Sequence, residues 1–432
     1  MEKNNFVLRN VKGTNDFSPE EQAVRNQIID ILKDSFVKYG YMPLETPILN
    51  EYDLLKYKYG DGAEILNEVY TLTDQGKRKL GLRFDLTVPF CKYIGLNKDL
   101  TMPFRRYEIG RVFRDGPVKL GRTREFYQCD IDAVGIDGRY IEVEQMQMVK
   151  KIFDKLGIDI VIKWNNRKLM CGLLSYLGIK EDKFESVISL IDRFDKLSEK
   201  ELFEEFEKEG IDNALTQKLL DIFDKDLRYY ESLKCDNENF TNGLAECLEI
   251  EKYIIELGLE NATKFCPKLA RGQNIYTGTV FEFYDKELRI SSSLGGGGRY
   301  DKIITDFMDN GMAYPAVGLS FGLEPIYAIL KSQYSQNFVD VMLIPMDTQV
   351  KCLQIAEKLR EIGARVITDF SSKKMKKAFD YANKQNIKFV MVVGENEINS
   401  GLYSIKDMEK GEQYSLELDK LVEFVKENLK WK

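Results

Sequence analysis

The sequence predicts an α+β protein in two parts: an antiparallel-sheet domain carrying a helical insertion, then a smaller α/β domain. Three observations carry this. Residues 44–135 hold short runs rich in Val, Ile, Phe and Tyr, several separated by Gly or Pro, as strands of an antiparallel sheet are. From about 172 to 262, charged residues alternate with Leu, Ile and Phe at helical spacing, and no proline occurs between Pro117 and Pro267. Beyond a polar stretch at 331–337, strand-like and helix-like segments alternate.

In chain order, Ser18-Pro19-Glu20-Glu21 is a capping box with proline at the first helical position. Val24, Ile28, Ile31, Leu32 and Phe36 then mark one apolar helix face, and Gly40 is its stop. Strands are expected at Glu68–Leu72, Leu80–Phe84, Phe104–Phe113 and Arg124–Val134, a helix at Glu142–Leu156 and a strand at Asp159–Trp164. After the helical insertion, strands are expected at Thr277–Tyr284 and Leu288–Leu294. The second part reads βαβαβ: Val339–Pro345, Gln349–Ile362, Arg365–Phe370, Lys373–Gln385 and Ile387–Val393. The expected division is therefore 1–330, a linker at 331–337, and 338–432.

Composition bounds the chemistry. The 432 residues are 44% hydrophobic and 31% charged, an ordinary globular balance. No apolar run approaches the ~20 residues of a membrane span, and Met1–Asn10 lacks a signal core, so the expectation is a cytoplasmic chain with no membrane partner. Seven cysteines lie scattered without a C-x-x-C pair, which argues against a zinc ribbon, a redox pair or a disulfide framework. There is no histidine, which excludes histidine-based nucleophilic catalysis and histidine metal ligands. No protein metal site is expected. The net charge of −7 rules out a global basic field for nucleic acid, leaving local patches. Residues 104–126 hold seven Lys/Arg against three acids, and 371–388 hold six lysines against one; either could be a solvated face.

Four segments could carry a reaction. In Arg105–Asp132, RRYEIGRVFRDGPVKLGRTREFYQCDID, Arg114 and Arg124 flank a polar loop at 115–123. Guanidiniums converging on one site suit carboxylate and phosphate oxygens; the simpler account is a surface hairpin laced with salt bridges. The run GGGGRYD at Gly295–Asp301 lets backbone approach a ligand closely but is no P-loop, and alone it reads as a tight turn. LARGQNIYTGTVFE places Arg271 near Tyr276, and PAVGLSFGL is a strand leading into a helix.

Together and in this order, these segments resemble the histidyl-tRNA synthetase family of class II aminoacyl-tRNA synthetases along nearly the whole chain. VKGTNDFSPEEQAVRNQI resembles its N-terminal entry, and LRFDLTVPF (Leu82–Phe90) its amino-acid-binding segment. The arginine-rich hairpin resembles motif 2, LARGQNIYTGTVFE and GGGGRYD the two histidine-specific segments, PAVGLSFGLE motif 3, and the tail the anticodon-binding domain.

The resemblance implies a six-stranded antiparallel catalytic sheet, a homodimer, and two-step ligation of L-histidine to tRNA(His) with ATP and Mg2+. It implies that Arg114 bridges the histidine carboxylate and the ATP α-phosphate, and that Arg271 faces them from the opposite side. Arg122 and Arg124 would bind ATP. Asp85, Leu86 and Thr87 would hold the amino acid, with Gln128 and Asp132 nearby, and Ile275 and Tyr276 would line the imidazole site. Lys373, Lys374, Lys376 and Lys377 would contact tRNA phosphates. Two departures stand out: Pro325 occupies the place of the motif 3 arginine, and Gln273-Asn274-Ile275-Tyr276 replaces the family's usual Leu-Asp-Tyr-Tyr. Two other functions compete. One is a non-catalytic paralogue, the regulatory subunit of ATP phosphoribosyltransferase, which typically lacks the tail domain. The other is a pseudo-synthetase that senses uncharged tRNA.

Overall fold

The computed structural model describes residues 7–57, 64–118, 121–194, 197–271, 275–332, 338–371 and 375–429. The chain forms two compact units, Met1–Gln333 and Tyr334–Lys432. Residues 333–337 of the expected linker and Lys373 and Lys374 of the basic patch lie outside the described residues, as do Gln273 and Asn274.

The first unit opens with α1 (Pro19–Lys38). Ser18 Oγ accepts the Glu21 N–H at 3.3 Å and the Glu21 carboxylate accepts the Ser18 N–H at 2.8 Å, the reciprocal pair the sequence calls for. There follow β1 (Met42–Pro43), β2 (Leu49–Glu51), α2 (Tyr52–Tyr57), β3 (Thr71–Thr73), β4 (Lys79–Leu82), α3 (Thr87–Leu96), β5 (Phe104–Phe113), β6 (Glu125–Val134), α4 (Tyr140–Leu156) and β7 (Ile160–Asn166). The helical module comprises α5 (Arg167–Tyr176), α6 (Phe184–Ile191), α7 (Glu199–Lys208), α8 (Asn213–Ile222), α9 (Leu227–Ser232) and α10 (Glu238–Glu256). Its first and last helices meet at two glycines. A Cβ on Gly172 would lie 2.3 Å from the Phe240 nitrogen, and one on Gly243 would lie 2.2 Å from the Leu169 nitrogen. The chain then returns through β8 (Thr263–Phe265), β9 (Thr279–Asp285), β10 (Gly295–Arg299), α11 (Asp301–Met308), β11 (Ala316–Gly322) and α12 (Leu323–Leu330).

The main sheet has the order β1-β5-β6-β11-β10-β9-β7-β8. Its six central strands are antiparallel, and β1 and β8 add a parallel strand at either edge. Strand alternation sorts the side chains onto two faces. One face packs on helices: Phe36 of α1 meets Tyr107 and Phe321, each at 5.6 Å between ring centroids, and Phe153 of α4 meets Phe283 at 5.5 Å. The opposite face presents polar groups, Arg106 and Glu108 on β5 and Gln128, Asp130 and Asp132 on β6.

Two expectations fail here. Leu288–Leu294 is not a strand; turns and bends occupy it. The glycine run is not a tight turn but the interior strand β10, paired on both sides. Strand propensity disfavours glycine, so the pattern hid a strand whose missing side chains make room for its neighbours.

In the second unit β12 (Val341–Pro345), α13 (Gln349–Glu361), β13 (Val366–Thr368), α14 (Met375–Lys384) and β14 (Phe389–Val393) follow the expected alternation. To these the structure adds α15 (Glu395–Ser400), β15 (Leu402–Asp407), β16 (Gln413–Glu417) and α16 (Leu418–Asn428). The sheet order is β13-β12-β14-β15-β16, with the first three strands parallel and the last two antiparallel. Leu343, Ile355, Leu359, Met391 and Leu421 fill one face, and Met342, Ile344, Ala378, Ala382 and Val390 the other. A sheet covered on both faces explains the near-continuous apolar run of β14.

Candidate active site

A pocket opens on the polar face of the main sheet. Strand β6 supplies Gln128, Asp130 and Asp132 to it, β11 supplies Gly318 and Ser320, and β10 supplies Gly296 and Gly297. Asp85 and Thr87 at the start of α3 form one wall, and Arg271, Ile275, Tyr276 and Tyr300 form another.

The glycines make this floor possible. A Cβ on Gly318 would fall 1.9 Å from Asp132 Oδ1, and one on Gly296 would fall 2.8 Å from Arg271 Nη1. Side chains there would displace the carboxylate and the guanidinium. Asp132 is held from two sides, because Arg106 Nη2 lies 2.6 Å from Oδ2 and the Tyr300 hydroxyl donates to Oδ1. Arg106 is wholly buried, and its Nη2 also reaches the Leu86 carbonyl at 3.2 Å. Beneath it Arg83 Nη1 pairs with Glu108 at 2.8 Å, and Thr46 also donates to that carboxylate. Asp85 Oδ1 accepts the Val88 N–H at 3.0 Å and so starts α3.

The arginines divide into two kinds. Arg111 pairs with Glu125 at 2.6 Å, Arg122 with Glu68 at 3.2 Å and Arg124 with Asp115 at 3.0 Å, so the outer end of the hairpin is laced with salt bridges. Arg114 makes no ion pair among the described residues; its Nε donates to the Phe84 carbonyl at 3.0 Å, next to Asp85, and its charge lies 5.1 Å from the Phe126 ring centre. Arg271 approaches Glu282 at 3.5 Å, yet its buried Nη1 has no hydrogen-bond partner among the described residues. Two guanidiniums with donors to spare fit an anionic ligand.

The structure thus brings Asp85, Thr87, Gln128, Asp132, Arg271, Ile275 and Tyr276 around one pocket. It does not bring Leu86 there, whose side chain is fully buried in the core at the entrance to α3. Arg114, Arg122 and Arg124 do not line it either. Lys376 and Lys377 are exposed on α14 of the second unit. The sequence reading missed Asp130, Tyr300 and Ser320 as pocket residues; the alternation of Gln128, Asp130 and Asp132 along one strand face was the available signal. Pro325 is buried in the first turn of α12, where no intrahelical N–H is needed. Glu324 beside it accepts from Arg25 Nη2 at 2.9 Å and from the Tyr127 N–H at 3.2 Å.

Comparisons with known proteins identify the family. The histidyl-tRNA synthetase family model matches residues 13–326, and the anticodon binding domain model matches 340–428. The chain is 42% identical over 424 residues to histidine–tRNA ligase 1 of Bacillus cereus, covering 97% of this chain and 99% of that one. A crystal structure of histidyl-tRNA synthetase from Nostoc sp. PCC 7120 superposes with a TM-score of 0.85 at 31% identity, over 98% of this chain and all of that one. A structure described as an ATP phosphoribosyltransferase regulatory subunit/histidyl-tRNA synthetase from Bacillus halodurans shares the fold, with a TM-score of 0.75 at 20% identity over 90% of this chain and 98% of that one. By its family match, its motifs and its near full-length relatives, the chain belongs to the histidyl-tRNA synthetase family.

Proposed function

We propose that the protein is a class II histidine–tRNA ligase. It condenses L-histidine with ATP to histidyl-adenylate and pyrophosphate, then transfers the histidyl group to the 3′ end of tRNA(His). The observation that carries this reading is the buried Arg271 Nη1, without a hydrogen-bond partner among the described residues, in the wall of a pocket that Asp85, Asp130 and Asp132 also line. In the first step a carboxylate oxygen of histidine attacks the α-phosphorus and the bond to the β-phosphate oxygen breaks. Negative charge gathers on the α-phosphate oxygens, and fixed guanidiniums stabilise it without a proton-transfer group. In this reading Arg114 bridges the two reactants, Arg271 takes the α-phosphate from the other side, and Arg122 and Arg124 exchange their acidic partners for nucleotide phosphates. Asp85, Thr87, Gln128 and Asp132 take the ammonium group, while Ile275 and Tyr276 flank the imidazole.

Magnesium would enter with ATP as its counter-ion. In the second unit Lys376 and Lys377 would meet tRNA phosphates as part of an anticodon-binding domain. A cytoplasmic homodimer completes the assignment. No described helix is long and apolar enough to cross a membrane.

Histidine-dependent ATP–pyrophosphate exchange tests the reading, with exchange expected for histidine and for none of the other amino acids. Pro325 is the observation favouring the rival, a regulatory subunit of ATP phosphoribosyltransferase. A folded protein that binds histidine without exchange would move the assignment there.

A further inference from the structure

We propose that Asp130 is a substrate-selecting residue whose Oδ1 accepts a hydrogen bond from a protonated nitrogen of histidine. This deepens the histidine-activating reading and rests on it. The group stands on β6 between Gln128 and Asp132 and lines the pocket. It is 4% exposed, and Oδ1 has no hydrogen-bond partner among the described residues.

The surrounding elements leave this acceptor unmet. On β5 the cross-strand neighbour is Glu108, already held by Arg83 and Thr46. Arg106 on the same strand is engaged by Asp132 at 2.6 Å and by Glu108 at 3.7 Å. On β11 Ser320 is a hydrogen-bonding neighbour, before α11 Tyr300 gives its hydroxyl to Asp132, and Asp85 faces the site from the start of α3. A buried acceptor without a partner is costly, and this one belongs to a residue that lines the pocket. With carboxylates around it, the donor that fits carries positive charge, and both the ammonium and a protonated ring of histidine qualify.

Burial pushes the Asp130 carboxyl up to about 7, Arg106 opposing the rise and Asp132 and Asp85 adding to it. A cationic donor favours the ionised form. With the ammonium as donor, substrate binding below about pH 7 releases the Asp130 proton and affinity grows as pH rises toward 7; with the ring as donor, that proton passes to the ring nitrogen.

The test is Asp130→Asn, which keeps shape and removes charge, with Asp130→Ser as a second variant and melting curves for both. Wild-type exchange with histidine first establishes the activation reading. Calorimetric binding of histidine without ATP tests Asp130 separately, so failure of one does not hide the other. The expected result is histidine affinity weaker by on the order of tenfold to a hundredfold, an unchanged KM for ATP, and loss of the ionisation near pH 7 from the histidine kcat/KM profile. Because the chain contains no histidine, ring ¹⁵N signals of labelled histidine report the substrate alone. A ring charge state that differs between wild type and variant assigns the donor to the ring; weakened binding with an unchanged ring assigns it to the ammonium. Unchanged histidine affinity and pH profile in folded Asn and Ser variants would overturn the proposal.

Discussion

Two arginines at opposite ends of the glycine strand, Arg299 wholly buried and Arg271 partly, differ in what they leave open. Arg299, at the end of β10, spends every nitrogen inside the protein. Nε and Nη2 hold Glu142 at 2.8 and 2.9 Å, Nη1 reaches the Ile136 carbonyl and Nη2 the Gly138 carbonyl, each at 3.2 Å. Arg271, lying over Gly296, keeps a buried Nη1 without a partner among the described residues. The first is a closed bidentate pair that ties β10 to α4. The second is a donor prepared for something that arrives later. Burial alone does not separate structural from functional charge; the unfinished hydrogen-bond inventory does.

Substitutions can break that contrast. The largest effect is expected from Arg299→Ala, which leaves buried Glu142 with only Arg139 near it, at 3.6 Å; a loss of ~3–5 kcal/mol in denaturant unfolding is predicted. Arg271→Ala should leave unfolding nearly unchanged while lowering histidine-dependent exchange by about 10²–10³-fold. A large stability loss in that variant would erase the distinction. Gly296→Ala tests it from the strand side. The added methyl would lie 2.5 Å from the Phe281 carbonyl oxygen as well as 2.8 Å from Arg271 Nη1, so exchange should fall roughly tenfold to a hundredfold together with a loss of stability that Arg271→Ala does not show. The smallest effect is expected at Lys376→Ala and Lys377→Ala on α14. Each should flatten the salt dependence of tRNA affinity by about one unit of log–log slope and leave exchange untouched.

Much of the fold was legible because it obeys simple periods. The capped helix α1, the long strands β5 and β6, and the βαβαβ order of the second unit all display their pattern in sequence. The site was legible only as an ordered set of motifs resembling one family, since no single arginine or glycine announces its role. What stayed hidden follows from rules the pattern does not carry. Strand β10 is built of four glycines because Arg271, Tyr276 and backbone crowd it, and a propensity reading takes such a run for a turn. Asp130 sits on a strand face otherwise assigned by resemblance, and its buried position emerges only when β11 is laid beside β6. The hairpin of β15 and β16 is marked by Gly401 before its first strand and Gly411 in its turn, both at positive φ, and the reading did not use them.

The strand order also has a consequence for the ribosome. Strand β11 is the last of the eight to be synthesised, yet it lies near the middle of the sheet, between β6 and β10. Until it emerges, β1-β5-β6 and β10-β9-β7-β8 are two separate half-sheets, each with an open inner edge of the kind that invites wrong pairing. Gly318 and Ser320 are what join the carboxylates of one half to the glycine strand and Arg271 of the other. A nascent chain stopped short of Ala316 can carry the whole helical module and most of the substrate ligands, and still have no place to put a substrate.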